Sequence, residues 1–275
     1  MNARIALPGG DVRVDLARPV SLALTLEFDG PQPRHFGAPR ATARPFEAPG
    51  FSGAVASGAS CNCEVITLVP HCQGTHTECV GHLTRETLDA HRVVPAGLVP
   101  AVLVSVAPST AAICGESTEP TPGAADLLVS ARAITDAWPA ALPFAPRALI
   151  IRTLPNTADK ATRDYTLASP PYLSRQAAQL LVSRGIVHLI VDVPSLDRTH
   201  DEGRLSAHRI FFGLPPGAAQ LSMAARPDAT VTEFAFVPDQ LPDGAYLLQL
   251  QVPALAGDAV PSRPLLYPLL PPENP

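Results

Sequence analysis

The sequence predicts an α/β fold with a mixed sheet, and three observations predict it. LSRQAAQLLVSR at 173–184 carries apolar residues at helical spacing, Gly185 follows, and the apolar run IVHLIVDV at 186–193 comes next. Helix, glycine and buried strand in that order are the rhythm of an α/β layer. RALIIRT at 147–153 is a short β-branched run of the kind that fills a central strand. Towards the C-terminus, TVTEFAFV at 230–237 and AYLLQLQVP at 245–253 flank the turn residues PDG at 242–244. Strands joined by turn residues predict antiparallel pairing there.

The remaining elements follow in chain order. DVRVDLARPVSLALTLEF at 11–28 alternates apolar and polar positions and predicts one or two early strands. Residues 29–60 are rich in Gly, Pro, Ala and Ser and predict an ordered loop around GPQPRHFGAP. EVITLVP at 64–70 predicts a strand that delivers the chain into a histidine-rich segment, followed by a polar turn or short helix at 83–91. GLVPAVLVSVA at 97–107 predicts a buried strand, and AADLLVSARAITDAWPAA at 124–141 a helix. Ser174 is placed to cap the 173–184 helix at its start and Gly185 at its end.

Composition narrows the function classes. Across 275 residues, 46% are hydrophobic and 16% charged, enough apolar material for a large core in a single domain spanning 1–275. The 32 prolines are spread between apolar runs, which reads as punctuation rather than disorder. Net charge is −5 and no stretch interleaves Lys and Arg with aromatics, so no nucleic-acid partner is expected. No apolar run reaches membrane-spanning length and the N-terminus lacks a secretory pattern; the expectation is a cytoplasmic protein with no membrane partner. The cysteines number five, an odd count that argues against a disulfide framework.

The chemistry concentrates in HCQGTHTECVGH, residues 71–82. Four of the eight histidines fall between 71 and 91, mixed with Cys and Glu. A solvated loop explains one such histidine but not the cluster, which marks a metal-centred site. In an extended stretch, residues two apart share a face, so His76 and Glu78 can converge on one ion. Gly74 lets the backbone bend close beside them. Imidazole, thiolate and carboxylate all bind zinc, and imidazole with carboxylate also suits manganese.

The segment resembles the HxGTHxDxPxH signature of the cyclase family, which includes bacterial kynurenine formamidases and isatin hydrolases. Gly74, Thr75, His76 and His82 match in register, while Cys72 stands at the first His, Glu78 at the Asp and Val80 at the Pro. His71 is displaced by one position and substitutes only if the backbone bulges. PPYLSRQAAQLLVSRGIVHLIVDVPSLD at 170–197 resembles the family's helix–Gly–strand–DxPSxD stretch, SAHRIFF at 206–212 its later ligand histidine, and the 230–253 stretch its Glu-bearing strand.

The resemblance implies a swivelling β/β/α fold, a small-molecule substrate, one or two metal ions and a homodimer or homotetramer. It implies Cys72, His76, Glu78, His208 and Glu233 as metal ligands and His82 as proton donor and acceptor. A metal lowers the pKa of bound water to about 7, and the resulting hydroxide would attack the carbonyl of an N-formyl or cyclic amide. Imidazole titrates in the range needed to carry the proton to the leaving nitrogen. A thiolate at 72 would favour zinc over manganese. The Pro/Gly-rich segment 211–229 is a natural place for a lid or altered pocket. Two other functions remain consistent with these residues: a non-catalytic small-molecule binder, and a lactone hydrolase or dehydratase using the same metal.

Other polar residues carry plainer readings. His35 in the early loop reads as solvated, with bordering the substrate as the alternative. His188 reads as a satisfied strand residue, and Cys79, facing away from His76 and Glu78, as a packed thiol. Asp192, Ser195 and Asp197 either orient a ligand histidine or cap the strand end.

Overall fold

A computed structural model of the protein describes residues 1–167 and 169–271; positions 168 and 272–275 of the expected 1–275 domain lie outside the described residues. A nine-stranded mixed sheet organises the chain. In chain order its strands are β1 (Val20–Ser21), β2 (His76–Cys79), β3 (Val99–Val106), β4 (Ala148–Thr153), β5 (His188–Val191), β6 (Thr230–Glu233), β7 (Gly244–Gln251), β8 (Ala259–Pro261) and β9 (Arg263–Pro268). In space they run β8-β2-β6-β5-β4-β3-β7-β9-β1. The four central strands β3, β4, β5 and β6 are parallel. The flanking strands on both sides are antiparallel. This is the α/β fold with a mixed sheet and flanking helices expected above.

Alternation explains the two cores. Val102, Val104, Leu149, Ile151, Leu189 and Val191 face the helices α1 (Ala131–Asp136), α2 (Arg175–Ser183) and α3 (Ser206–Phe212). Their neighbours Ala101, Leu103, Ala148, Ile150 and Ile190 face the opposite side, against Leu22, Tyr246, Leu248 and Leu266. Strands buried on both faces read as continuous apolar runs, as 147–153 and 186–193 do. Phe211 and Phe212 at the end of α3 are fully buried, each stabilising the fold by about 2 kcal/mol through lost water contact. Ser174 caps α2 as expected, its hydroxyl accepting from Ala177 N at 2.9 Å, and Gly185 ends it with φ 72°. Among the described residues, no helix is long and apolar enough to cross a membrane.

Several expectations need correction. The 230–237 and 245–253 runs do not pair with each other. β6 lies parallel to β5 and antiparallel to β2, while β7 pairs with β3 and β9. The PDG turn explains the separation: Asp243 accepts from Ser105 N and Oγ at 2.7 Å and from Arg152 at 3.1 Å, anchoring the start of β7 beside β3. The strand at Glu64–Thr67 pairs with Thr42–Pro45 in a separate two-stranded arm, so β2 itself enters the main sheet. The 124–141 stretch splits into a strand at Leu127–Val129 and the short α1, with Ser130 capping the latter by accepting from Ala133 N at 3.0 Å. In the 211–229 segment Leu214, Ala218 and Ala229 pack into the helix-side core, the Arg226 guanidinium lies over Phe211 at 4.7 Å, and residues 213–217 line a cavity, in keeping with the altered pocket expected there.

Candidate metal centre

The sheet register assembles the centre. His76 and Glu78 alternate along β2 and present one face. Glu233 on β6 sits directly across from His76, and Ala259 on β8 directly across from Glu78. Asp258 therefore enters at the head of β8, beside Glu78. On the other face of β2, Thr77 and Thr232 share a 2.7 Å hydrogen bond, and the buried Cys79 thiol donates to Leu88 O at 3.1 Å. Glu233 ends its strand because Phe234 turns the chain with φ 53°. Thr75 holds that turn, donating its hydroxyl proton to Phe234 O at 2.6 Å and accepting from Leu24 N at 2.8 Å. Gly74 has φ 67°, and a Cβ there would meet only Leu26 at 3.9 Å; backbone conformation, not crowding, asks for glycine.

Four imidazoles converge on Glu78 and Glu233. His208 Nε2 is 3.0 Å from Glu78 Oε1 and 3.4 Å from Glu233 Oε1. His76 Nε2 is 3.4 Å from Glu233 Oε2. His71 Nδ1 is 3.1 Å from Glu78 Oε2, and His82 Nε2 is 4.0 Å from the same oxygen. Two groups of mutually close donors contain Glu78, one with His71 and His76, the other with His208 and Glu233; a third joins His71, His82 and Asp258. His71 enters because Pro70–Cys72 forms a tight helical turn. Cys72 belongs to none of these groups; burial and the nearby Glu233 charge raise its thiol pKa.

Each histidine is anchored through its other nitrogen. His76 Nδ1 lies 3.2 Å from Gly74 O. His208 Nδ1 lies 2.7 Å from Asp197, whose carboxylate also accepts from the backbone amides of Ala207 at 2.8 Å and His208 at 3.1 Å. Asp197 thus caps α3 and orients His208 together, whereas Asp192 pairs with the buried Lys160 at 2.8 Å and Thr153. The sequence left those roles open. Asp258 Oδ2 lies 2.8 Å from His71 Nε2 and 3.3 Å from His82 Nδ1.

The electrostatics follow from this packing. Burial pushes the Glu78 pKa up, but His82 and His208 outweigh it and hold the carboxylate well below its usual range. Burial pushes His208 down, yet Glu78, Asp197 and Glu233 raise it well above the imidazole range. His71 behaves alike: burial lowers it, Asp258 and Glu78 raise it to about 10. Asp258 is held far below the carboxylate range by hydrogen bonds from His71 and His82.

The donor set fits a divalent cation. His76 Nε2, Glu78 Oε1 and His208 Nε2 are buried and lack an aligned hydrogen-bond partner, even though His208 and Glu78 approach closely. Each such orphan costs about 1–3 kcal/mol, and all three residues belong to the groups that could hold an ion. Imidazole nitrogen with carboxylate oxygen is a zinc or manganese ligand chemistry.

Three residues complete the surroundings. His35 is fully buried, not solvated; its ring lies 3.9 Å from that of Phe36, tilted by 46°, and neither ring nitrogen has a well-aligned hydrogen-bond partner. His188 donates to or accepts from Thr230 Oγ1 at 2.9 Å within the sheet. Asp258 was not foreseen. Its one local signal, an acid after glycine at the head of a strand, is shared by Gly10–Asp11, whose carboxylate pairs with Arg4 at 2.7 Å. A cavity of about 370 Å³ opens at the carboxyl ends of β4 and β5, lined by Leu154, Pro155, Tyr165, Pro170 and Val193. Tyr165 packs edge-on against Phe234 at 5.8 Å, and Phe234 lies 6.0 Å from His76. A second cavity of about 430 Å³, at Arg204, Arg209 and Pro215, has none of the donors in its lining.

Known proteins share this architecture. The family model described as "Putative cyclase" matches residues 14–198, well over half of the chain. A structure described as a potential metal-dependent hydrolase with cyclase activity aligns at TM-score 0.59 with 14% identity, over 91% of this chain and 97% of its own. A predicted metal-dependent hydrolase from Bacillus stearothermophilus aligns at 0.55 with 15% identity, over 91% and 98%. Isatin hydrolase A from Labrenzia aggregata, bound to benzyl benzoate, aligns at 0.57 with 17% identity, over 91% and 93%. No curated protein sequence matches the chain.

Proposed function

The chain belongs to the Putative cyclase family, and from that premise we propose that it is a metal-dependent hydrolase of a C–N bond in an N-formyl or cyclic amide. The convergence of His71, His76, His208, Glu78 and Glu233, with three buried donor atoms left unpaired, carries this reading. His71 takes the ligand place that the motif comparison assigned to Cys72. When bound, a divalent ion supplies an activated water and polarises the carbonyl; zinc is our choice, with manganese the alternative.

The protein's own residues do the rest. His76, Glu78, His208 and Glu233 are buried and exclude bulk solvent from one side of the reacting group. His82 remains 28% exposed in its side chain, so substrate can reach it. Its Nε2 faces the centre while Nδ1 is held by Asp258. Hydrolysis adds water across the C–N bond, and His82 accepts the water's proton and delivers it to the leaving nitrogen. Phe234, 6.0 Å from His76, and Tyr165 packed against it put aromatic packing beside the centre, which supports an aromatic substituent. The isatin hydrolase likeness supports the cyclic-amide class. We further propose a homodimer, since the arm at 42–67 exposes Phe46, Val55 and Ile66.

The test is a panel of N-formyl aromatic amines, cyclic amides and lactones, assayed with zinc or manganese. Amide cleavage is expected, abolished by chelation and reduced about 10²–10⁴-fold by His82→Ala with metal content unchanged. A protein that binds neither ion would overturn the proposal. Turnover confined to lactones would move the substrate class.

A further inference from the structure

We infer that Asp258 is a positioning residue that sets opposite tautomers in two neighbouring histidines, making one a metal ligand and the other a proton carrier. A single oxygen, Oδ2, faces Nε2 of His71 at 2.8 Å and Nδ1 of His82 at 3.3 Å. A neutral imidazole carries one N–H and one lone pair. A carboxylate accepts only, so it draws the proton to whichever nitrogen faces it. Asp258 therefore keeps the Nε2–H of His71 and the Nδ1–H of His82, so that a cation binding at the centre would displace only the His71 Nδ1 proton. The other nitrogens, His71 Nδ1 and His82 Nε2, both point towards Glu78 Oε2, at 3.1 and 4.0 Å.

Without metal, a proton on His71 Nδ1 meets Glu78 at 3.1 Å; a bound cation would take that proton's place, and Nδ1 would then face it with its lone pair, the arrangement of a ligand. At 4.0 Å the His82 lone pair stands clear of Glu78 and free to take a proton. The two rings lie 4.2 Å apart and tilted by 32°, so one acceptor reaches both.

The backbone keeps Asp258 in place. Its carbonyl accepts from Cys79 N at 3.0 Å, and Gly257 N donates to Asp89 Oδ1 at 3.0 Å. Ala259 registers with Glu78 across the sheet. Gly81 lacks the Cβ that would stand 3.2 Å from Asp258 Cβ and 2.5 Å from Leu88 O. The same device acts on His208 through Asp197, but there one carboxylate serves one ring.

The assignment of His82 as proton carrier rests on the proposed hydrolase; the tautomers do not. Imidazole ¹⁵N NMR of the zinc-loaded protein, above the usual imidazole titration range, reads them directly. Wild type is expected to show Nε2–H on His71 and Nδ1–H on His82. Asp258→Ala should release His82 to a mixture of both forms. It should also weaken zinc binding about 10–100-fold against a chromophoric chelator, and lower kcat with little change in KM. Asp258→Glu should restore part of each. If the alanine variant does not fold, Asp258→Leu, of similar size and without an acceptor, gives the same readout. A wild-type His82 protonated on Nε2, or tautomers unchanged in the variant, would overturn the inference. Expected tautomers without amide turnover would support it and reject the hydrolase instead.

Discussion

Replacing Asp197 by Asn separates the two tasks that this buried side chain performs. Its Oδ2 faces both the Nδ1 and the backbone N of His208, and its Oδ1 faces the backbone N of Ala207. An amide of the same shape keeps one acceptor. Turned with its oxygen towards Ala207, it presents N–H to the imidazole, which then accepts at Nδ1 and keeps its one proton on Nε2. That proton faces Glu78 and Glu233, at 3.0 and 3.4 Å, where an ion is expected to bind. The metal-free fold loses one backbone acceptor at His208, the carboxylate that balances the protonated imidazole, and part of the favourable charge at the α3 N-terminus. The net loss is about 1–3 kcal/mol. Zinc affinity falls about 10–100-fold, because a ligand nitrogen is now protonated. Asp197→Ala removes every acceptor and costs the metal-free fold more, about 3–5 kcal/mol. Urea unfolding with chelator present measures the first quantity, and competition with a chromophoric chelator the second. If Asp197→Asn binds zinc as tightly as wild type while matching the destabilisation of the alanine variant, Asp197 is a helix cap alone and the orientation argument fails.

Three further outcomes follow from particular residues. Burial pushes His188 from the ordinary 6.5 down to about 4. The unfolded chain therefore binds more protons between those values, and stability is full above about pH 6.5 and lost as pH falls through about 4, by about 3 kcal/mol; a urea midpoint that tracks wild type at every pH in His188→Gln would contradict this. Gly81→Ala places a Cβ 2.5 Å from Leu88 O and 3.2 Å from Asp258 Cβ, so a loss of about 1–3 kcal/mol is expected in a thermal melt, and an unchanged midpoint would show that the contact yields freely. Cys72→Ser should leave zinc stoichiometry and affinity unchanged, while His71→Ala should weaken zinc by more than the roughly 10–100-fold of an outer-shell change; the reverse pattern would restore Cys72 as the ligand.

Much of the framework was legible because it is encoded locally. Capping by Ser174 and Gly185 and the helical spacing of α2 need only neighbouring residues. Continuous apolar runs at β4 and β5 announced strands buried on both faces. His76 and Glu78 could be paired from alternation alone, and Cys79 placed on the reverse face. The errors came from local assumptions that long-range contacts overruled. Pairing 230–237 with 245–253 assumed that strands joined by a turn are neighbours, but Asp243 ties that turn to Ser105 and Arg152 instead. His35 looked solvated because its loop is polar, whereas that loop folds against Cys72, with His35 N donating to Cys72 O at 3.0 Å.

The sequence by itself determined which donor types meet on β2, the buried central strands at 147–153 and 186–193, and the family to which the chain belongs. The family resemblance already named His208 and Glu233; only the tertiary structure showed how they reach the centre and that His71 and Asp258 close it. Glu233 arrives through its register with His76 and Asp258 through that of Ala259 with Glu78. His71 enters through the tight turn at Pro70–Cys72. The physical reason is that a metal centre is satisfied by atoms within a few ångströms, and such proximity depends on sheet register and turn geometry, which spacing along the chain does not record.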